Sequence, residues 1–338
     1  MAGSADLSII IPIFNRDEII RHTFASVARA TGGLVVEQIV VDDGSSPPTS
    51  EVLGRLGIVP TKLVRQPNQG LLFARLAGLR VATGRYVLFL DSDDVVGTEK
   101  LRRQVAVMDE TGAAVSYTDT ARCDLGPDGP GPFSIDPPAP IATDAPNFFL
   151  RVQPGPHSPI FRRDYLIRVV AEALFPPSPR YNPVAEIWFY YNAAIRPARV
   201  VKVDGPHTIV GVHAGARLTN HWERLALASL AVMEAFARAC PRTPDTLTAR
   251  MLAGECAFRS WRGLPKDFHP LFGERLLALW RQAPRGPTAR LGTRSFAMLA
   301  RLFGAERAAS LLRRWRGHTY ASCRTMDDVS FARLLAEF

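Results

Sequence analysis

Asp91-Ser92-Asp93-Asp94 sets three carboxylates within four residues, at the end of a run, Tyr86-Val87-Leu88-Phe89-Leu90, that reads as a buried strand. Carboxylates this close repel and raise each other's pKa unless a cation sits among them. Aspartate oxygens are hard ligands, suited to Mg²⁺ or Mn²⁺ that also holds substrate phosphates. A helix cap explains the cluster poorly. The next helical pattern starts near Thr98-Glu99, several residues beyond Asp91 and Asp93. The expected chemistry is metal-assisted handling of a phosphate group.

These residues need a frame. Leu7 to Ile13 is nearly continuous apolar sequence, as in a strand covered on both faces, and Arg16 to Ala30 then carries apolar residues at helical spacing. A second strand, Glu37 to Val41, runs into Asp42-Asp43-Gly44-Ser45-Ser46, followed by a helix from Thr49 to Leu56. A strand over Thr61 to Val64 and a helix over Leu71 to Ala82 lead to the strand with the acidic cluster. This alternation predicts an α/β domain with an open, mostly parallel central sheet flanked by helices. Ligands of such sheets bind at the carboxyl ends of the strands, where both acidic clusters fall, so one crevice is expected to hold them. Ala113 to Thr118 reads as one more strand. Gly126 to Pro146, with seven prolines, reads as an irregular surface loop.

From Trp222 onward the pattern is helical. Trp222, Leu225, Ala226, Val232, Met233 and Phe236 share one face, and Phe272, Leu276, Leu279 and Trp280 another. The expected division is residues 1–218 for the α/β domain and 219–338 for a helical C-terminal region that positions acceptor, membrane or partner. Between Arg290 and Arg316 seven arginines accompany a single acid, Glu306, interleaved with apolar residues. That pattern suits either peripheral contact with anionic lipid or, more commonly, helices packed on their own domain with a solvated arginine face.

With 338 residues and 47% hydrophobic content, the chain has enough apolar sequence for one large core or two smaller ones. A net charge of +9 favours anions in general, among them nucleotide phosphates, anionic lipid and nucleic acid. Cys123, Cys240, Cys256 and Cys323 are widely spaced with no C-x-x-C pair, which argues against a disulfide framework or zinc knuckle and for a reducing cytosol. No stretch approaches the roughly 20 apolar residues of a membrane span, so a cytoplasmic protein, peripheral at most on the inner membrane face, is expected.

No G-x-G-x-x-G follows the first strand and no G-x-x-x-x-G-K-S/T occurs, so neither a dinucleotide site nor a P-loop holds the phosphate. Ser8-Ile9-Ile10-Ile11-Pro12-Ile13-Phe14-Asn15-Arg16, Val41-Asp42-Asp43-Gly44-Ser45 and Leu90-Asp91-Ser92-Asp93-Asp94, in this order and spacing, resemble the opening of a family 2 glycosyltransferase. Asn68-Gln69-Gly70, Ala74-Arg75 and Ala82-Thr83-Gly84-Arg85-Tyr86 resemble the stretch that precedes that family's D-x-D motif.

The resemblance, over residues 7 to 215, implies a GT-A fold, a nucleotide-diphosphate sugar donor, UDP-linked by preference, Mn²⁺ or Mg²⁺ as cofactor, and inversion at the anomeric carbon. By position it implies that Pro12, Phe14, Asn15, Asp43, Arg75, Asp91 and Ser92 bind the donor nucleotide. It further implies that Asp91, Asp93, Asp94 and His213 hold the metal, and that His157, Ser158 and Trp188 lie on the acceptor side. Asp42 fixes a turn.

Pro183 to Ala194 resembles the family's acidic pair that opens a helix near the acceptor, with Glu186 on the second position, the base. An inverting transfer is one in-line displacement and needs one carboxylate to take the acceptor hydroxyl's proton. The sequence departs from the family pattern at Leu76, Ala185 and Asn192, where an asparagine, the first acid and an arginine are usual. The implied partners are a nucleotide sugar and a glycan or glycolipid acceptor, with no nucleic acid. Ala185 and Asn192 motivate one rival reading, a catalytically silent nucleotide-sugar-binding subunit. Another, a nucleotidyltransferase, lacks its glycine-rich triphosphate loop.

Overall fold

In the computed structural model, which describes residues 5–16, 19–126, 128–213, 220–315 and 318–338, the strand β1 (Leu7–Ile13) is buried at every position. Apolar side chains on both faces fit a central parallel strand covered by helices on either side. It pairs in parallel with β2 (Val36–Asp42) and β4 (Tyr86–Phe89), and β2 pairs in parallel with β3 (Lys62–Arg65). Helices α1 (Ile20–Ala30), α2 (Thr49–Arg55) and α3 (Leu71–Val81) make the connections. After β4 come the two-residue β5 (Val95–Val96) and α4 (Lys100–Thr111). Phe24 and Val27 of α1 and Leu101, Val105 and Met108 of α4 pack with Ile9, Ile11, Val40 and Leu88 of the sheet.

The sheet order is β3-β2-β1-β4-β8-β6-β9-β5, with β7 paired to β6. Beyond β4 the pairing becomes mixed. The strand β8 (Ile160–Arg162) runs antiparallel to both β4 and β6 (Val115–Gly126), whereas β9 (Val200–Val212) is parallel to β6 and antiparallel to β5. The strand expected at Ala113 to Thr118 is therefore longer, reaching Gly126. The proline-rich loop expected from Gly126 contains a strand, β7 (Gly129–Ile135), paired antiparallel to β6. Its residues are mostly exposed and among the described residues it pairs with β6 alone, so its prolines sit in an edge strand that needs no second ladder. The short α5 (Ala145–Asn147), then α6 (Arg163–Ala171) and α7 (Ala185–Ala193), complete this part.

A buried carboxylate ties the amino ends of the strands together. Glu37, 4% exposed, accepts hydrogen bonds from Ser8 Oγ at 2.6 Å, from the Thr83 amide at 2.9 Å and Thr83 Oγ1 at 2.9 Å, and from Lys62 Nζ. These groups satisfy the carboxylate at the end of the sheet opposite the acidic clusters.

The chain divides into two compact units, Met1–Ala216 and Arg217–Phe338; the boundary expected at 218/219 lies outside the described residues. The second unit is all helical: α8 (Trp222–Ala239), α9 (Leu247–Gly263), α10 (Pro270–Gln282), α11 (Arg294–Phe303), α12 (Ala305–Trp315), α13 (Tyr320–Cys323) and α14 (Asp328–Glu337). Of the residues on its expected apolar faces Val232, Met233, Phe236, Phe272, Leu276 and Trp280 are buried, while Trp222, Leu225, Ala226 and Leu279 are partly buried. Gly304 breaks the arginine-rich stretch into α11 and α12, which pack on the unit through Phe296, Ala300, Ala308 and Ala309 while Met298, Leu302 and Phe303 stay exposed. Arg316 lies outside the described residues. Among the described residues no helix is long and apolar enough to cross a membrane.

Candidate active site

The carboxyl ends of β1, β2 and β4 bring Phe14, Asn15, Asp43, Asp91 and Asp93 to one end of the sheet. Pro12 is buried within β1, and Phe14 just beyond it is 48% exposed. Asn15 takes a left-handed conformation, φ 46°. Its amide donates to Ser45 Oγ at 3.0 Å and its Oδ1 accepts from the Ser46 amide at 2.9 Å, which joins the turn after β1 to the turn after β2. Asp42 accepts from the amides of Ser45 and Thr49 and so shapes that second turn.

Asp43 works differently. Its carboxylate accepts from Gln66 Nε2 at 2.7 Å and from the amides of Gln69 and Gly70 at 2.9 and 2.8 Å. This fixes the loop that opens α3. Gly70 has φ 91°, and a Cβ there would lie 2.2 Å from the Asn182 side chain. Asn182 in turn donates Nδ2 to the Gln69 carbonyl at 2.8 Å and accepts from the Leu72 amide at 3.1 Å. The segment leading into α7 is thereby pinned to the loop that Asp43 holds. Sequence reading missed Asn182, because an asparagine three residues before a helix carries no signal of a partner 110 residues away.

Arg75, fully buried, lies between two acids. Its Nη2 donates to Asp91 Oδ1 at 2.7 Å and its Nη1 faces Glu186 Oε2 at 3.5 Å. Nε and Nη1 have no hydrogen-bond partner among the described residues. Burial works against the guanidinium charge, but Asp91 and Glu186 outweigh it and raise its pKa. Burial raises the Asp91 carboxyl; Asp94 and Asp93 add to the rise, and Arg75 opposes it. Burial likewise raises Glu186 against the pull of Arg75, with Asp91 reinforcing the rise. A carboxylate raised this way is a stronger proton acceptor at neutral pH.

Asp93 Oδ2 receives Arg16 Nη2 at 2.7 Å and lies 2.8 Å from His213 Nε2. Arg16 is a second site residue that the sequence reading did not single out, although it directly follows Phe14 and Asn15. Among the described residues no three His, Cys, Asp or Glu side chains are arranged as a metal cluster. The donor set still suits Mg²⁺ or Mn²⁺. Asp93 and His213 offer a carboxylate oxygen and an imidazole nitrogen side by side, and such ions take one or two carboxylates with substrate phosphates completing the shell.

Five residues expected to touch ligands, Ser92, Asp94, His157, Ser158 and Trp188, are instead buried inside the protein. Asp94 Oδ1 accepts from the Gly211 amide at 2.9 Å and its Oδ2 lies 3.0 Å from Nδ1 of His157, which is 1% exposed. Ser158 is buried and bonded to the Thr118 backbone, while its carbonyl accepts from Lys100 Nζ at 2.8 Å. Burial presses the Lys100 ammonium well below its ordinary pKa. Trp188 is fully buried, its indole N–H on the Phe175 carbonyl at 3.3 Å, so it offers no surface to an acceptor. The apolar character of α7 places Trp188 in the core. Ser92 is buried too, and its carbonyl accepts from Thr23 Oγ1 at 3.0 Å. Asn192, an expected departure from the family pattern, is a structural residue: it accepts from the Leu174 amide and donates to the Trp188 carbonyl.

Known proteins share this framework. Residues 8–166 match the model of glycosyl transferase family 2. The succinoglycan biosynthesis protein ExoO of Rhizobium meliloti is 33% identical over 112 residues, 33% of this chain and 32% of its own. The putative teichuronic acid biosynthesis glycosyltransferase TuaG of Bacillus subtilis is 35% identical over 115 residues, 33% of this chain and 45% of its own. The chain thus spans less than half the length of these curated relatives. By structure, S. aureus TarS 1-349 in complex with UDP-GlcNAc superposes with a TM-score of 0.59 at 16% identity, covering 92% of this chain and 91% of its own. The mannosyltransferase PcManGT of Pyrobaculum calidifontis, in complex with GDP-Man and Mn²⁺, gives 0.53 at 16% identity over 94% and 89%. Residues 8–166, which contain the strand-end carboxylates and Arg75, are a family 2 glycosyltransferase domain, and the fold is of the GT-A type.

Proposed function

We propose that the protein is an inverting, metal-dependent glycosyltransferase that moves a sugar from a nucleotide-diphosphate donor, preferably UDP-linked, to a hydroxyl of a glycan or glycolipid. The observation that carries this is Arg75 lying between Asp91 at the strand end and Glu186 at the start of α7. One buried guanidinium holds a donor-side acid and a candidate base in one crevice. That ExoO and TuaG are named for polysaccharide biosynthesis, and that TarS and PcManGT bind UDP-GlcNAc and GDP-Man, favours the same substrate classes.

In the reaction Glu186 takes the acceptor hydroxyl's proton as that oxygen bonds to the anomeric carbon. The bond from that carbon to the diphosphate breaks, its electron pair leaving with the nucleoside diphosphate. A bound Mn²⁺ or Mg²⁺ would stabilise that leaving charge, with Asp93 and His213 as its protein ligands and Asp91 beside them. Asn15 and Asp43 frame the nucleotide pocket, with Phe14 at its open edge. The four cysteines, all free, suit a reducing compartment.

The test is nucleoside-diphosphate release from UDP-, GDP- and dTDP-sugars with Mn²⁺ or Mg²⁺, followed by transfer to an acceptor panel. Release from one donor that Asp93→Asn and a chelator both abolish is the expected outcome. Glu186→Gln should bind donor normally and lose transfer; transfer at the wild-type rate would remove the base assignment. Donor binding with neither release nor transfer across the acceptor panel would favour a silent binding subunit.

A further inference from the structure

The helical unit contains a cavity of about 560 Å³ that the transfer chemistry does not use. Its size lies within the ~300–1,000 Å³ of small-molecule sites. The walls are apolar: Trp222, Leu230, Met233, Phe272 and Leu276 come from α8 and α10. Arg262, Lys266, Arg313 and His318 also line it, and among the described residues no aspartate or glutamate does.

The cations are built into the wall. The Lys266 amide donates to the His318 carbonyl at 3.0 Å, and the Lys266 carbonyl accepts from the Tyr320 amide at 2.7 Å, which brings Lys266 and His318 together. Arg313 donates Nη2 to the Pro265 carbonyl at 3.3 Å and lies over the Trp261 ring at 5.2 Å. Among the described residues it has no carboxylate partner. Burial presses its pKa down, with nothing acidic to offset this. A half-buried guanidinium satisfied by one carbonyl and a ring gains from an anionic oxygen, and the apolar walls gain from a hydrocarbon body.

From this we infer that the cavity binds an amphipathic anion, an acidic head group, carboxylate or phosphate, at Arg313 with its apolar body against Trp222, Met233 and Phe272. Such a molecule comes either from a bilayer lipid or from a soluble acyl or alkyl anion.

The experiment titrates the full chain with dodecyl phosphate and dodecanoate, read by tryptophan fluorescence and calorimetry, with dodecanol and inorganic phosphate as single-feature controls. The expected result is saturable binding of the two anions, about tenfold weaker binding of dodecanol, and none of inorganic phosphate. Arg313→Gln should weaken the anions by about tenfold and leave dodecanol unchanged. Ala226→Phe, which fills the wall, should abolish all binding and serves should Arg313→Gln fail to fold. Phosphatidylcholine vesicles doped with phosphatidate separate the two sources: retention on vesicles that dodecyl phosphate displaces assigns a bilayer lipid, and no retention assigns a soluble anion. Dodecanol binding as tightly as the anions, anion affinities indifferent to a folded Arg313→Gln, or full binding by Ala226→Phe would each overturn the inference.

Discussion

Gly211→Ala tests whether β9 sets the geometry of the strand-end carboxylates. The Gly211 amide donates to Asp94 Oδ1, and two residues later His213 reaches Asp93. A Cβ at 211 would stand 2.1 Å from the Asp93 carbonyl oxygen, where 3.0 Å is the closest that real Cβ atoms come. The contact is with backbone, so no side chain can swing away, and β9 must part from the 91–94 turn by about 0.9 Å, on the order of the 1 Å misplacement that costs about 100-fold in rate. Nucleoside-diphosphate release under saturating donor, the donor first having been identified, should therefore fall about 100-fold in kcat for Gly211→Ala. Gly126→Ala, where a Cβ meets nothing within 4 Å, is the control and should keep the wild-type rate. Circular dichroism confirms that both variants fold. A folded Gly211→Ala enzyme within about threefold of wild type would refute the claim that this close approach holds Asp93 and His213 in register.

Two further predictions address the frame and the link across the crevice. Burial pushes the Glu37 carboxyl up, but hydrogen bonds from Lys62, Ser8 and Thr83 outweigh it and bring its pKa from 4.5 down to about 2. A folded pKa below the unfolded one contributes stability that is present above pH 4.5 and is lost as the pH falls towards 2, about 3 kcal/mol for a shift of this size. Urea unfolding of the first unit at pH 7 and pH 2.5 should show this loss in the wild type and not in Glu37→Gln; equal pH slopes would remove the assignment. Asn182→Ala deletes the hydrogen bonds to the Gln69 carbonyl and the Leu72 amide, each worth about 1 kcal/mol. Calorimetry with UDP and steady-state release should show donor affinity and kcat both falling, by about tenfold together. A change in only one of them would mean that the residue serves one side of the crevice alone.

The alternation of strands and helices through α4 was legible because each parallel strand is covered on both faces and so is apolar throughout, as β1 is. The boundaries that failed lie where this logic lapses. In β7 prolines are compatible with an edge strand, and composition alone cannot tell such a strand from a loop. The acids at the ends of β2 and β4 were legible because their charge contrasts with the strands before them. Burial of Asp94, His157 and Ser158 was not, because it depends on contacts far apart in sequence, such as the Gly211 amide on Asp94 across 117 positions and Ser158 on the Thr118 backbone of β6.

The same long-range contacts explain why the departures at Ala185 and Asn192 do not dismantle the crevice. Asn192 spends both its polar atoms on the Leu174 amide and the Trp188 carbonyl, so it braces α7 and faces no substrate. Ala185 is fully buried, which leaves Glu186 as the acid of that turn, and Arg75 faces it directly. Asp43 orders the loop that begins α3, α3 carries Arg75, and Asn182 fastens that loop to the segment opening α7. The loop that opens α3 and the segment that opens α7 are thus joined in one hydrogen-bonded path. Under the proposed function, a nucleotide held at the Gly70 loop would bear on the anchor of Glu186 through Asn182, the coupling that the Asn182→Ala measurement reads.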